Sequence, residues 1–174
     1  MKRLMIVIAA MAVLVPASLW AQDPAKAEVF GGFSVLHLSN GGVSTTPVGW
    51  QGALAFNLNP KMGIVGDFGG HYKDGGSMHT YLGGLRYNHR ADKMTPFVHG
   101  LMGGNHVSSG GGGGSANGFS MAFGGGLDYT ANEKINVRVI QFDWMPTRYS
   151  AGGVSAWQNN TLRFGFGLVF RAGS

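Results

Sequence analysis

The chain has 174 residues, about one domain's worth, no cysteine and a formal net charge of +5. Without cysteine it forms no disulfide, zinc–thiolate site, lipid-anchored N-terminus or cysteine nucleophile. Its basic residues are scattered along the chain, which gives no indication of nucleic-acid binding. Glycine is abundant (31 residues) and charged residues are scarce (12%). After the N-terminal 21 residues, no stretch of 18 consecutive apolar residues occurs, which excludes a membrane-spanning helix in that part of the chain. These features predict an all-β chain.

The N-terminus has the pattern of a secretory signal peptide. Lys2 and Arg3 precede an apolar run over residues 4–15, which is too short for a membrane-spanning helix of about 20 residues. We predict cleavage after Ala21, with cleavage after Ala17 as the alternative. The predicted organisation is a signal peptide over 1–21, a lead-in over 22–27 and a β-barrel over 28–171.

The mature region alternates apolar and polar residues in repeated segments. Eight strands are predicted, at residues 28–38, 49–58, 62–72, 78–90, 95–107, 118–129, 135–143 and 157–171. In the second of them, Trp50 and Leu54 share a face opposite Gln51, because successive side chains of a strand point to opposite sides. The seventh changes phase near Val139 or Ile140, which predicts a β-bulge.

The last strand has the clearest alternation. Leu162, Phe164, Phe166, Leu168 and Phe170 occupy consecutive even positions of this strand, and the odd positions are polar or small. A strand that crosses a bilayer at a tilt of about 45° needs roughly 9–11 residues, which this segment supplies. The strand therefore suits the closing strand of a transmembrane barrel.

The connections between the predicted strands alternate in length. Those after the first, third, fifth and seventh strands run about 5–12 residues, and the others about 3–5. Short periplasmic turns and longer outer loops are typical of an up-and-down outer-membrane barrel. The exposed outer surface is then predicted to be formed by loops 39–48, 108–117 and 145–156.

The sequence resembles the small eight-stranded outer-membrane β-barrel proteins, the group that includes the OmpA-like transmembrane domain. The resemblance lies in the leader ending at 20–22 (WAQ), the opening at 28–34 (EVFGGFS) and the last strand at 162–171 (LRFGFGLVFR). It implies a monomer in the outer membrane of a Gram-negative cell envelope, without a cofactor. It also implies contact with outer-membrane lipids and lipopolysaccharide, and insertion by the barrel-assembly machinery. The assembly signal implied for this family falls on Phe164, Phe166 and Phe170.

If the apolar faces meet lipid, charged side chains must point inward. The predicted interior charges are Asp67, Arg86, Asp128, Arg138, Asp143 and Arg163, with the amides Gln51, Asn57, Asn88 and Asn136. Because isolated buried charges are costly, we expect ion pairs, for instance Arg138 or Arg163 with Asp128. An eight-stranded bore is only wide enough for side chains to fill it, whereas freely conducting porins use about 16–18 strands. The sequence therefore favours a plugged barrel with a structural or surface-interaction role. A narrow pore for small solutes is the alternative.

Two weaker patterns point to enzymatic or metal chemistry. His37 lies two residues before Ser39, and His106 two residues before Ser108, a spacing at which histidine can act as general base toward serine in a lipid A-modifying barrel enzyme. No orienting acid accompanies either pair, so the sequence predicts no enzyme and no catalytic residue. His71 and His79 flank the third strand-to-strand connection, but without a carboxylate pair no metal site is predicted.

Two patterns remain open at the surface. The aromatic residues near the predicted strand ends are explained as a headgroup-level girdle: Trp50, Tyr72, Tyr81, Tyr87, Phe119, Tyr129, Trp157 and Phe170. Trp144, Tyr149 and Trp157 form the alternative, a sugar-binding platform on the loops. The structural rival is a soluble lipocalin-type barrel, which requires the apolar side chains to face inward.

Overall fold

The computed structural model describes residues 25–40, 42–110, 114–151 and 154–173. The predicted signal peptide at 1–21 and most of the lead-in lie outside these residues. The described chain contains eleven strands: β1 (Ala27–Asn40), β2 (Val43–Thr45), β3 (Val48–Asn57), β4 (Met62–Lys73), β5 (Gly76–Asn88), β6 (Met94–Ser108), β7 (Ser115–Thr130), β8 (Ile135–Trp144), β9 (Thr147–Ala151), β10 (Val154–Gln158) and β11 (Thr161–Ala172). Within the described segments, no helix is long and apolar enough to cross a bilayer.

Eight of the strands close into an antiparallel barrel. Their order around the barrel is β1, β3, β4, β5, β6, β7, β8 and β11, and each pairs with the next. The first and last strands close the circle in an uninterrupted register from Ala27 opposite Ala172 to Leu38 opposite Thr161. Because the barrel is closed, each of these eight strands, which form its wall, is hydrogen-bonded to a neighbour on both sides. A strand in the hydrocarbon core of a membrane needs this, since no water is present there to bind unpaired backbone groups. The predicted fold, an eight-stranded up-and-down barrel, is confirmed.

Most of the large apolar side chains lie on the outside of this barrel. Phe33 is 69% exposed, whereas the next residue, Ser34, is 1% exposed and points inward. The same alternation runs along the other wall strands, and all the predicted girdle aromatics are exposed. A soluble barrel would have the reverse arrangement, so the lipocalin alternative is wrong. The alternation predicted from sequence was sufficient to assign the two faces because the side-chain period of a strand is two.

The predicted bulge is confirmed in β8. Val139 and Ile140 are consecutive and both exposed. The register of β8 slips beside them on both sides, between Leu127 and Asp128 of β7 and between Gly165 and Gly167 of β11. One extra residue in β8 thus returns the polar side chains after it to the interior.

The outer connections differ from the predicted ones. The five-residue loop expected at 73–77 is a two-residue turn, because Lys73 pairs with Gly76. Asp74 and Gly75 both have positive φ, 51° and 77°, the combination that the tight hairpin turn of type I′ requires. The predicted loop 39–48 contains β2, and the predicted loop 145–156 is largely the hairpin of β9 and β10, whose first strand also pairs with β7. The closing strand begins at Thr161 instead of 157.

Candidate functional site in the barrel interior

The interior holds all six charged residues expected there. Each is at most 4% exposed: Asp67, Arg86, Asp128, Arg138, Asp143 and Arg163. They come from five different wall strands, and strand alternation turns each of them to the inside. Their pairing decides whether the interior is a stable core or an open polar channel.

Arg163 on β11 is the centre of the network. Its Nη1 donates to Asp67 Oδ1 at 2.7 Å, and its Nε donates to Asp143 Oδ2 at 2.8 Å. One guanidinium on β11 therefore binds both β4 and β8. Asp67 and Asp143 lie 96 and 20 positions away from Arg163 in the chain. Sequence reasoning expected Asp128 as a partner of Arg138 or Arg163, and Asp128 binds Arg138.

Two amide side chains and a histidine also bind these two carboxylates. Gln51 Nε2 donates to Asp67 Oδ2 at 2.6 Å. His99 Nε2 lies 2.7 Å from Asp143 Oδ1, and since a carboxylate only accepts, this nitrogen carries the proton. Gln141 Nε2 donates to Asp143 Oδ2 at 2.8 Å and connects the Arg163 group to its neighbour.

The neighbouring group is a bidentate ion pair. Arg138 donates from Nε and Nη2 to the two oxygens of Asp128, at 2.8 and 3.0 Å, and from Nη1 to Gln141 Oε1 at 2.8 Å. The paired geometry makes this a strong charge-assisted interaction. The rings of Phe30 and Phe97 lie 4.3 and 4.4 Å from the Arg138 guanidinium carbon, which adds cation–π contacts. Through Gln141, hydrogen bonds run without a break from Asp128 to Asp67.

A third group, of which sequence reasoning predicted Arg86 and Asn57 but missed Glu28 and Arg90, lies at the end of the barrel with the short turns. Glu28 binds Arg86 and, at 3.1 Å, Arg90, and it accepts a hydrogen bond from Asn57 Nδ2 at 3.0 Å. The alternation of side chains in β1 could have revealed Glu28. Its neighbour Val29 faces outward, so Glu28 must face inward. With this group, four carboxylates in the bore meet four guanidinium groups. A cavity of about 10 Å³ lies among these side chains, space for about one water molecule.

Toward the outer loops the charged side chains of the bore give way to apolar ones and to uncharged polar ones. Leu101 and Met145 lie two residues beyond His99 and Asp143, and both are fully buried. They belong to a cluster of inward side chains that also includes Leu36, Met78, Leu82 and Ala122. These apolar side chains and the hydrogen-bonded Asn105, Ser120 and Thr147 fill the bore between the charged network and the outer loops.

The histidines do not form the chemistry that their spacing suggested. His71 is inside the barrel, 2.9 Å from Ser34 Oγ, whereas His79 is outside, 3.1 Å from the Tyr72 hydroxyl. They lie on opposite faces of the wall, so the shared metal site is excluded. Among the described residues, no group of three or more His, Asp or Glu side chains is arranged to hold a metal ion.

The two serine–histidine pairs and the aromatic platform likewise do not assemble. His37 Nδ1 lies 3.4 Å from Thr46 Oγ1, and His106 Nδ1 lies 2.7 Å from Asn117 Oδ1, so both rings are directed to residues other than the proposed serines. Tyr149 directs its hydroxyl at Met78 Sδ, 3.9 Å away in the bore, whereas Trp144 and Trp157 are exposed. The three aromatic residues therefore do not share one binding face.

The residues predicted as an assembly signal are available on the outer surface of the closing strand. Phe164, Phe166 and Phe170 are all exposed, and Phe166 packs against Phe33 with the ring centroids 6.0 Å apart. Their recognition by the assembly machinery stays a prediction.

The sequence matches no protein-family model and no curated protein sequence. Its structure is similar to those of solved membrane barrels. Neisserial surface protein A, NspA, superimposes with a TM-score of 0.63 at 11% identity over 86% of this chain and 98% of that one. Ail, the attachment invasion locus protein of Yersinia pestis, in complex with the heparin analogue sucrose octasulfate, gives 0.56 at 16% identity over 85% and 99%. A de novo designed transmembrane β-barrel gives 0.53 at 12% identity over 87% and 98%. The chain therefore has the fold of the small eight-stranded transmembrane β-barrels.

Proposed function

We propose that this protein is an integral outer-membrane β-barrel whose wall anchors it and whose outer loops interact with molecules at the cell surface. The observation that carries the proposal is the filling of the bore, by a charge-balanced network at one end and by apolar and uncharged polar side chains toward the outer loops. A barrel filled in this way holds loops in place and transports nothing. The apolar outer face and the predicted signal peptide support the outer-membrane location.

The similar structures support a surface role by analogy of architecture. NspA is a surface protein, and Ail is an attachment protein with a bound heparin analogue. The polyanionic ligand of Ail does not suit the present chain, because the charged residues at its described outer end are Lys73, Asp74 and Arg148, with a formal net charge of +1. The exposed Trp157 and the hairpin of β9 and β10 favour a neutral or weakly charged partner.

Because the bore is filled, we expect the protein to conduct no ions across a membrane. Protein refolded into vesicles, and shown to be folded by its gel mobility before boiling, should produce no current steps after fusion with a planar bilayer. The physical reason is that buried side chains fill the described bore, from the ion pairs around Arg163 to Leu101 and Met145, so a crossing ion has no continuous water-filled path in which to keep its hydration shell. A large porin fused in the same bilayer is the positive control. Reproducible conductance steps from the folded protein would contradict the plug and favour the narrow pore.

A further inference from the structure

Basic residues surround the periplasmic end of the barrel. Lys26, Lys61, Lys93 and Lys134 are all exposed, and Arg171 is half-buried at the end of the closing strand. We call these five residues the periplasmic ring. Each of the three periplasmic turns contributes one lysine, and Lys26 and Arg171 lie at the junction of β1 and β11. The residues that appear scattered in sequence thus lie at intervals around the barrel.

The charge at this end is unbalanced. Asp92 and Glu133 are the acidic residues of the same turns. With Arg90 counted in the bore, where it is paired with Glu28, the periplasmic ring and its turns carry a formal net charge of +3. Among the described residues, neither carboxylate forms an ion pair. The described outer end carries a formal net charge of +1. The barrel is therefore electrically polarised, with its excess positive charge at the periplasmic end.

The height of the periplasmic ring places it at the membrane surface. Tyr87 and Tyr129 are exposed on the outer wall one residue before the ends of β5 and β7, beside the turns that contain Lys93 and Lys134. Tyrosines in such positions mark the level of the lipid headgroups. The lysines follow directly beyond this level, where a flexible side chain reaches phosphate groups while its methylene stem stays against the apolar wall.

We propose that the periplasmic ring binds the headgroups of anionic glycerophospholipids in the periplasmic leaflet. This inference depends on the membrane location in the proposed function. A ring that encircles the barrel suits a shell of lipids, which touches every side of the wall, better than a protein partner, which would meet one side. Each cation near an anionic bilayer surface contributes an independent and salt-sensitive attraction.

The test compares lipid selectivity in two matched variants. The mature chain is inserted into vesicles of equal parts phosphatidylcholine and phosphatidylglycerol, extracted in mild detergent, and its retained lipids are counted by native mass spectrometry. Lys61→Gln/Lys134→Gln removes two ring cations, and Lys73→Gln/Arg148→Gln removes two outer cations as the control. The wild type should retain phosphatidylglycerol preferentially. The exchange constant in favour of that lipid should fall by up to about fivefold for each ring lysine removed. The outer variant should behave as the wild type does.

Three results would overturn the inference: no preference in the wild type, an unchanged preference in the ring variant, or an equal loss in the outer variant. Should the ring variant fail to insert, a salt titration of the wild type decides instead, because the preference must weaken as the Debye length falls from about 10 Å at 0.1 M to about 3 Å at 1 M salt. A preference that salt does not change would also overturn it. Failure of the wild type to insert into any vesicle would contradict the proposed function itself, which separates the two outcomes.

Discussion

Replacing Arg163 with alanine should lower the free energy of unfolding by about 3–5 kcal/mol, the cost of removing one partner from a buried ion pair. Arg163 is fully buried and is bound to both Asp67 and Asp143. Its removal leaves two carboxylates close together in the bore with less positive charge to balance them. The measurement is a urea titration in detergent micelles, read from the mobility of the unboiled band. A loss below about 1 kcal/mol would contradict the central place of Arg163 in the network.

Two further variants control this prediction. Arg148→Ala removes an exposed arginine at the outer end and should change the free energy of unfolding by no more than about 0.5 kcal/mol. The triple variant Arg163→Met/Asp67→Asn/Asp143→Asn removes the charges together and should recover part of the stability, because no unpaired charge then remains at this position. If the triple variant is less stable than Arg163→Ala, lost packing and not charge explains the effect.

Gly32→Ala should weaken the junction between the first and last strands, whereas Gly31→Ala should be nearly silent. A methyl group at Gly32 would overlap the carbonyl oxygen of Phe166 and lie 2.9 Å from the Cα of Gly167. The obstacle is backbone, which moves only if the pairing of β1 with β11 opens. At Gly31, one residue away and facing outward, a methyl group would have no atom within 4 Å. We expect Gly32→Ala to cost about 1–3 kcal/mol or more, the range for overpacking a tightly packed site.

Both glycine variants are measured by the temperature at which the unboiled band converts to the unfolded mobility. The comparison is controlled internally, since both changes add one methyl group to neighbouring glycines of one strand and reduce the flexibility of the unfolded chain equally. Equal conversion temperatures for the two variants would show that the junction between β1 and β11 accommodates a side chain at residue 32. This result would contradict the close approach of the two strands.

The fold could be predicted from sequence because a membrane barrel repeats one simple rule. Strand alternation placed Phe164 outside and predicted the bulge at Val139 and Ile140, since each depends only on neighbours within one strand. The outer hairpin of β9 and β10 was missed because the segment between Met145 and Trp157 is read as a loop when only lipid-facing alternation is sought. The first strand of this hairpin pairs with β7 of the barrel wall, and this pairing leaves no lipid-facing alternation in the sequence.

For the interior, sequence reasoning predicted the residues and the presence of ion pairs, but it left the choice of partners open. Which arginine meets which carboxylate depends on the stagger between strands that are distant in sequence, as between Arg163 and Asp67. That stagger is a property of the closed barrel and appears in no local pattern. The periplasmic ring has the same origin: Lys61, Lys93 and Lys134 are scattered in the sequence and come to one end only when the strands alternate in direction.

Labelling of single cysteines on intact cells tests the outer-membrane location and the orientation of the barrel most directly. The natural chain has no cysteine, so each introduced thiol is unique. Ser115→Cys places a thiol at the exposed outer start of β7, and Lys61→Cys places one in an exposed periplasmic turn. With a polymer-linked maleimide too large to cross the outer membrane, the protein with Ser115→Cys should be labelled on intact Gram-negative cells, and that with Lys61→Cys only after permeabilisation. Labelling of Lys61→Cys on intact cells, or of neither variant, would contradict an outer-membrane barrel that presents these loops to the exterior.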